Sequence, residues 1–111
     1  MATMFAKIAE DKKAEEIVIL DVRDLTFIAD FFVICSGFNS RQLQSIADEV
    51  ELKMAGYGVH RNGIEGYSEA KWILIDYGDV VLHLFCKEMR HFYDLELLWG
   101  DAPKIPWKTN L

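Results

Sequence analysis

Three polar side chains lie close together in an otherwise apolar stretch of the sequence. Residues 71 to 85 read KWILIDYGDVVLHLF, which sets Asp76, Asp79 and His83 among Ile, Leu, Val and Phe. Two carboxylates beside a tight turn could bind a divalent cation, and an imidazole could act as a general base. Asp also flanks glycine turns for reasons of turn geometry alone. Two carboxylates at this spacing are a weak catalytic signal, so the structural interpretation is favoured.

A second candidate for chemistry lies upstream, where CSGFNSRQ runs from an apolar strand through Ser36 and Gly37 into a helix start. Backbone N–H groups at a helix N-terminus favour anions. The segment lacks the paired glycines and the lysine of a phosphate-binding loop, and strand-Gly-cap-helix is a common connection. A phosphate site here is the minor alternative.

Length and charge limit the architecture and the partners. The 111 residues predict one domain, assigned to residues 1 to 103, with KIPWKTNL (residues 104 to 111) as an exposed C-terminal tail because it holds charge and proline. A net charge of -6 disfavours direct contact with a phosphate backbone. If the protein works near nucleic acid, a basic protein is the expected direct contact.

The cysteines and the first residues indicate a reduced, non-membrane setting. Cys35 and Cys86 lie in apolar runs without Cys or His at metal spacing, so we expect buried thiols, no zinc site and no cofactor. The N-terminus MATMFAKIAEDKKAEE has no apolar signal region, and no run approaches the ~20 apolar residues of a membrane span. We expect a cytoplasmic protein, with an organellar one as the less favoured option.

The hydrophobic pattern predicts the elements in the order α-β-β-α-(β)-β-β-α. Helical spacing occurs over residues 3 to 13, and again after Asn39, where Gln42 completes a possible capping box and Gly56 suits the helix end. EEIVILDVRD and DFFVICSG read as strands, and residues 58 to 66 as a connection or a short strand. This order predicts a small mixed β-sheet flanked by helices, of the α/β (α+β) class.

The opening stretch reads as a β-hairpin. If Tyr77 and Gly78 are the two loop residues, Asp76 pairs with Asp79 and Trp72 with His83. One face is core, and it carries Ile73, Ile75, Val80, Leu82 and Leu84. The other face carries Trp72, Leu74, Asp76, Asp79, Val81, His83 and Phe85. That mixture is too apolar for a solvated face and too polar for a core, so helices or a partner must cover it.

Three segments together carry a family resemblance. ADFFVICSGFNSRQLQSIADEV, GIEGYSEAKWILIDYGDVVLHLF and FYDLELLWGDAP follow one another in the order and spacing of the ribosomal silencing factor family, also called Iojap. The most specific parts are Ser40 to Gln42, the spacing from Glu65-Gly66 to Trp72, DYGDV with His83, and the segment from Tyr93 to Trp99. The match covers residues 5 to 103.

The resemblance implies a fold like that of nucleotidyltransferases without their catalytic residues, and a binding function without an enzymatic one. Members of the family bind the large ribosomal subunit through ribosomal protein L-fourteen, block joining of the small subunit and so repress translation. Carried over to this sequence, the partner-binding residues are Trp72, Leu74, Asp76, Tyr77, His83 and Tyr93.

Two other functions stay open at this point. A metal-dependent nucleotidyl or phosphoryl transferase would use Asp76 and Asp79 with the Ser36-Gly37 loop, but it needs a third acidic ligand and a basic phosphate contact. A self-associating module would pair the Trp72 side of the hairpin with a second copy, which is compatible with ribosome binding.

Overall fold

Helices and strands follow the predicted order in a computed structural model, which describes residues 1 to 92 and 99 to 108. The elements are α1 Ala2–Asp11, β1 Glu15–Asp21, β2 Phe31–Gly37, α2 Ser40–Gly56, β3 Gly63–Glu65, β4 Trp72–Asp76, β5 Val80–Cys86 and α3 Lys87–Phe92. Within these residues, none of the helices is long and apolar enough to cross a membrane.

The five strands form one mixed sheet in the order β1-β2-β5-β4-β3. The central pair, β2 and β5, is parallel, while each of the other neighbouring pairs is antiparallel. Every residue of β5 from 80 to 85 is buried, as expected for a central strand covered on both faces. The predicted mixed sheet with flanking helices is confirmed.

Helices α1 and α2 cover one face of the sheet, called here the helix face. Side chains from α1, such as Phe5, and from α2, such as Ile46, pack against alternate residues of the strands, such as Ile73 and Leu82. The helix α2 begins as predicted, because the Asn39 side chain accepts a hydrogen bond from the Gln42 N–H at 2.8 Å.

The details of the α2 termini differ from the prediction by one or two residues. The Gln42 side-chain oxygen accepts from the N–H of Phe38, at 2.6 Å, and not from that of Asn39 as in a standard capping box. Gly56 is the last helical residue, and the left-handed backbone conformation occurs at Gly58, with φ +74°.

The opposite face of the sheet has a second, smaller apolar cluster. We call it the Trp72 face. Its buried members are Leu20, Val22, Ala29, Phe32, Ile34, Val81, Phe85 and Ala102, and partly buried residues including Trp72, Leu74, Met89 and Trp99 pack against them. Trp99 stands edge-on to Phe32 with ring centroids 5.4 Å apart. Residues near the C-terminus therefore cover the β2 side of this face.

Residues 103 to 107, which include the first part of the predicted C-terminal tail, lie along the edge strand β1. Asp21 N–H donates to the Pro103 carbonyl at 2.8 Å, and Ile105 N–H donates to the Ile19 carbonyl at 2.9 Å. The Trp107 indole N–H reaches the Ile17 carbonyl at 3.3 Å. Backbone groups of an edge strand need partners, and this segment supplies them.

The hairpin confirms the predicted faces but corrects the predicted pairing. Asp76 pairs with Val81 and Trp72 with Phe85, a shift of two positions on β5. Tyr77 N–H donates to the Val80 carbonyl at 2.9 Å, so Gly78 and Asp79 form the tip. The physical reason is turn chemistry: Gly78 has φ +85°, and a two-residue turn accepts glycine readily at its first position. A shift of two leaves every side chain on its predicted face.

Candidate binding face

Strand β4 presents three half-buried residues to the Trp72 face. Trp72, Leu74 and Asp76 alternate with Ile73 and Ile75, which are buried on the helix face. This alternation is the period of two that a strand imposes on its side chains. The strand therefore joins the core on one side and offers an apolar-to-acidic row on the other.

The Trp72 ring is held in place by two neighbours on β5. It stacks on Phe85 with ring centroids 5.0 Å apart. Its indole N–H donates a hydrogen bond to Nδ1 of His83 at 3.2 Å. These two contacts already restrict the rotamers of Trp72 in the free protein. Little conformational entropy is then lost when a partner binds, so Trp72 is preorganised.

His83 is a buried, neutral member of this cluster. The residue is 5% exposed, and Phe32 stands edge-on to its ring at a centroid distance of 4.8 Å. Burial lowers the pKa of the imidazole to about 4 from an ordinary 6.5. Because Nδ1 accepts from Trp72, the proton of the neutral ring lies on Nε2, which has no hydrogen-bond partner among the described residues. A ring in this position orients Trp72 and is poorly placed as a general base.

The two aspartates lie at the turn end of the hairpin. The Asp76 carboxylate accepts from the Gly78 N–H at 2.7 Å, which is the turn-stabilising role that competes with metal binding. Asp79 has an exposed side chain, and its carbonyl accepts from the N–H groups of Asp30 and Phe31 at 2.8 and 3.0 Å. No group of three His, Cys, Asp or Glu within residues 1 to 92 and 99 to 108 could hold a metal ion.

The Ser36-Gly37 loop, the second candidate site for chemistry, lies far from Asp76 and Asp79. Phe31 pairs with Val80 beside the turn, while Gly37 pairs with Cys86 at the other end of the same parallel pair. At about 3.3 Å per residue the two ends are roughly 20 Å apart. Ser36 is also buried, and its hydroxyl accepts a hydrogen bond from Arg90 at 2.9 Å. The proposed parts of a transferase site are therefore separated.

Two of the predicted contact residues do not join the others. Tyr77 lies on the helix face, 8% exposed, with its ring 5.0 Å from that of Phe5. Burial raises the pKa of its hydroxyl, with a smaller contribution from Glu51. Tyr93 lies outside the described residues. The structure thus groups Trp72, Leu74, Asp76 and His83 from the six predicted residues.

Gly66 is a positioning residue that the sequence analysis did not single out by itself. Its φ is +78°, and a Cβ added there would lie 2.1 Å from the carbonyl oxygen of Trp72. Only glycine allows the backbone preceding β4 to approach this closely. The signal in the sequence was the fixed spacing from Glu65-Gly66 to Trp72, which has this steric cause.

Of the two cysteines predicted to be buried, only Cys35 is fully so. Cys35 is buried and Cys86 half-buried, both as free thiols. Burial raises the pKa of the Cys35 thiol to about 12, so it is an unreactive core residue.

Comparisons with known proteins agree with the motif-based resemblance. The family model described as "Ribosomal silencing factor during starvation" matches residues 1 to 110. Ribosomal silencing factor RsfS of Halalkalibacterium halodurans is 48% identical over 86% of this chain and 82% of the relative. The factor of the same name from Bacillus subtilis is 45% identical over 88% of this chain and 83% of the relative.

A solved structure supports the same conclusion at the level of the fold. A crystal structure of a Chromobacterium violaceum protein superposes with a TM-score of 0.84 and 33% identity, covering 98% of this chain and 91% of that one. Family model, relatives and fold all agree, and the family prediction is confirmed: the chain belongs to the ribosomal silencing factor family.

Proposed function

We propose that the protein binds the large ribosomal subunit through ribosomal protein L-fourteen, and that its bulk there blocks association of the small subunit and represses translation. The observation that carries this proposal is Trp72, a half-buried aromatic side chain fixed by Phe85 and His83 on a sheet face that carries a row of half-buried residues. Membership of the silencing-factor family supplies the ribosome as the partner.

The composition of the Trp72 face supports a protein partner. Trp is among the residue types most enriched at binding hot spots, and apolar neighbours such as Leu74 exclude water around it. Asp76 and Asp79 add negative charge at one end of the row, and the chain carries a net charge of -6. Acidic groups around an apolar anchor complement a basic surface and accelerate its association. A basic ribosomal protein has that chemistry.

The predicted contact residues take different roles in this proposal. Trp72, Leu74 and Asp76 contact the partner directly, while His83 acts by holding the Trp72 indole through its Nδ1. Tyr77 supports β4 from the helix face, where it contacts Phe5. Tyr93 stays a predicted contact.

Repression by this route needs no chemical step, so we infer that the protein is not an enzyme. A partner surface of ~800 Å² on each side, about 1,600 Å² in total, suffices for a specific complex. A domain seated on the joining surface of the large subunit excludes the small subunit by volume alone. The bacterial relatives make the bacterial cytoplasm the proposed place of action.

A binding assay followed by a subunit-joining assay tests the proposal. The chain is first incubated with isolated ribosomal protein L-fourteen and with purified large subunits, at low and at raised salt. We expect binding to both, weakened by salt because the acidic groups take part. Small subunits are then added, and light scattering reports joined ribosomes. Equal joining with and without a saturating amount of the chain would contradict the proposal.

The same samples test self-association through the Trp72 face. A second copy could cover this face when ribosomes are absent. Light scattering of the free chain and of Trp72→Ala distinguishes the cases: a dimer that Trp72→Ala converts to a monomer supports self-association, and a monomer in both supports a purely heterologous surface.

A further inference from the structure

An apolar loop between β1 and β2 projects into solvent and has no role in the function proposed above. Its exposed apolar side chains are Leu25 at 43%, Phe27 at 109% and Ile28 at 74% of their full accessible areas. Single exposed apolar residues are ordinary on a protein surface, but three within four positions form a patch. An exposed apolar patch of this kind indicates an interaction site.

The loop is held in shape by its own hydrogen bonds. The N–H groups of Leu25 and Thr26 donate to the Val22 carbonyl at 3.0 and 3.1 Å, and the Val22 N–H donates to the Asp30 carbonyl at 2.9 Å. The Thr26 hydroxyl oxygen accepts from the Ile28 N–H at 3.2 Å. The backbone is therefore preset to present Phe27 and Ile28 outward, and ordering it on binding costs little.

The base of the loop joins the turn end of the Trp72 face. The N–H groups of Asp30 and Phe31 both donate to the carbonyl of Asp79. Val22 and Ala29, which flank the exposed tip, are buried in the apolar cluster of the Trp72 face. The loop thus begins beside the hairpin turn, at the end of the Trp72 face where Asp76 and Asp79 lie.

Acidic side chains surround the apolar tip. Asp24, Asp30 and Asp79 are exposed. The nearby Arg23 is engaged by Asp21, with its Nε and Nη2 donating to the carboxylate at 2.9 and 2.6 Å. An apolar tip within an acidic rim complements an apolar pocket rimmed by Lys or Arg, and it is repelled by anionic lipid or phosphate surfaces.

We propose that residues 25 to 28 form a second anchor of the large-subunit contact, in which Phe27 and Ile28 enter an apolar pocket of the same basic ribosomal protein that binds the Trp72 face. This inference rests on the proposed function. Its geometry is consistent with one interface: β4 spans about 13 Å from Trp72 to Asp76, and a patch of ~800 Å² extends roughly 30 Å across.

Two double variants, each of which removes two large exposed side chains, test the second anchor. Phe27→Ser with Ile28→Ser removes the loop tip. Leu52→Ser with Tyr57→Ser removes two residues that are 70% and 71% exposed, on and just after α2, and serves as the control. Affinity for purified large subunits is measured for both, for Trp72→Ala and for the parent chain. We expect the loop variant to bind about tenfold or more weakly and the control to stay within about twofold of the parent.

The outcomes separate the two proposals. If the parent and Trp72→Ala differ as proposed while the loop variant binds like the control, the second anchor is wrong and the proposed function stands. If the parent chain does not bind large subunits, both are wrong. If the loop variant changes only the oligomeric state of the free chain, the loop pairs two copies and the second anchor is again wrong.

Photocrosslinking identifies what the loop contacts. A benzophenone side chain is placed at position 27, at position 65 and, as control, at position 52, and each chain is irradiated on purified large subunits. Glu65 is exposed and pairs with Leu74 across β3 and β4, so position 65 samples the Trp72 face with Trp72 intact. We expect positions 27 and 65 to crosslink to the same ribosomal protein and position 52 to give no protein crosslink. Crosslinks from position 27 to ribosomal RNA or to a different protein would overturn the proposal.

Discussion

The two faces of the sheet use one set of strands for different purposes. On the helix face, Ile73 and Ile75 are fully buried beneath α1 and α2, and the side chains there are almost all apolar. On the Trp72 face, the same strand presents Trp72, Leu74 and Asp76 half-buried, beside a neutral histidine. The comparison shows that adjacent residues of one strand can serve stability and recognition separately, because the strand sends them to opposite sides.

Gly66→Ala should damage both faces at once and have the largest effect. The added Cβ would meet the Trp72 carbonyl oxygen, and φ +78° is unfavourable for alanine. We expect a loss of about 4 kcal/mol in unfolding free energy, from backbone strain plus displacement of the start of β4. Urea denaturation measures it. Gly63→Ala is the control, since a Cβ there meets nothing within 4 Å; equal losses in both variants would exclude the steric explanation.

Ile73→Ala against Trp72→Ala compares the faces directly. Ile73 is fully buried, so its truncation leaves a cavity and should cost about 3 kcal/mol in unfolding free energy. Trp72 is only half-buried, so its truncation should lower the unfolding free energy by less than that of Ile73, with a difference of at least about 1 kcal/mol. Urea denaturation of both variants provides the comparison. A larger loss for Trp72→Ala would make Trp72 a core residue, contrary to the division of roles between the faces.

The pH dependence of the unfolding free energy tests the Trp72 face through a single residue, His83. The folded pKa of His83, about 4, lies below the ordinary 6.5 because the ring is buried. The unfolded chain therefore takes up a proton first as pH falls, and the unfolding free energy decreases from pH 6.5 toward pH 4. Between pH 6.5 and 5 we expect a loss of about 1.5 kcal/mol from this residue.

His83→Gln supplies the control for that titration, because it removes the titrating ring while keeping a polar side chain. Its unfolding free energy, from urea denaturation, should depend on pH less steeply over the same range. Parallel curves for the parent chain and His83→Gln would show that His83 is not the buried neutral group described here.

The alternation of side chains made the two faces predictable from the sequence. Period two is a local property, so Ile73 and Leu74 were assigned correctly even though the pairing across the hairpin was wrong by two positions. The same rule would have placed Tyr77 with Ile73 and Ile75 on the helix face, whereas the family resemblance placed it among the contact residues. Turn chemistry decided the pairing, through the positive φ of Gly78.

Features that depend on distant contacts could not be read from local patterns. The segment containing Ile105 and Trp107 looked like an exposed tail because it holds lysine and proline. It nevertheless pairs with β1, where Trp107 contacts Ile17, a residue that lies 90 positions earlier in the chain. The hydrogen bond from Trp72 to His83 likewise depends on the final register. Such contacts become visible only when the sheet is assembled.

The most direct test of the account is the affinity of Trp72→Ala for purified large ribosomal subunits, measured beside the parent chain. The folded state of the variant is first checked by circular dichroism. We expect the dissociation constant to rise by about 30-fold or more, equivalent to ~2 kcal/mol, because the central aromatic anchor is lost. A folded Trp72→Ala that binds as tightly as the parent chain would contradict the assignment of the Trp72 face as the ribosome-binding surface.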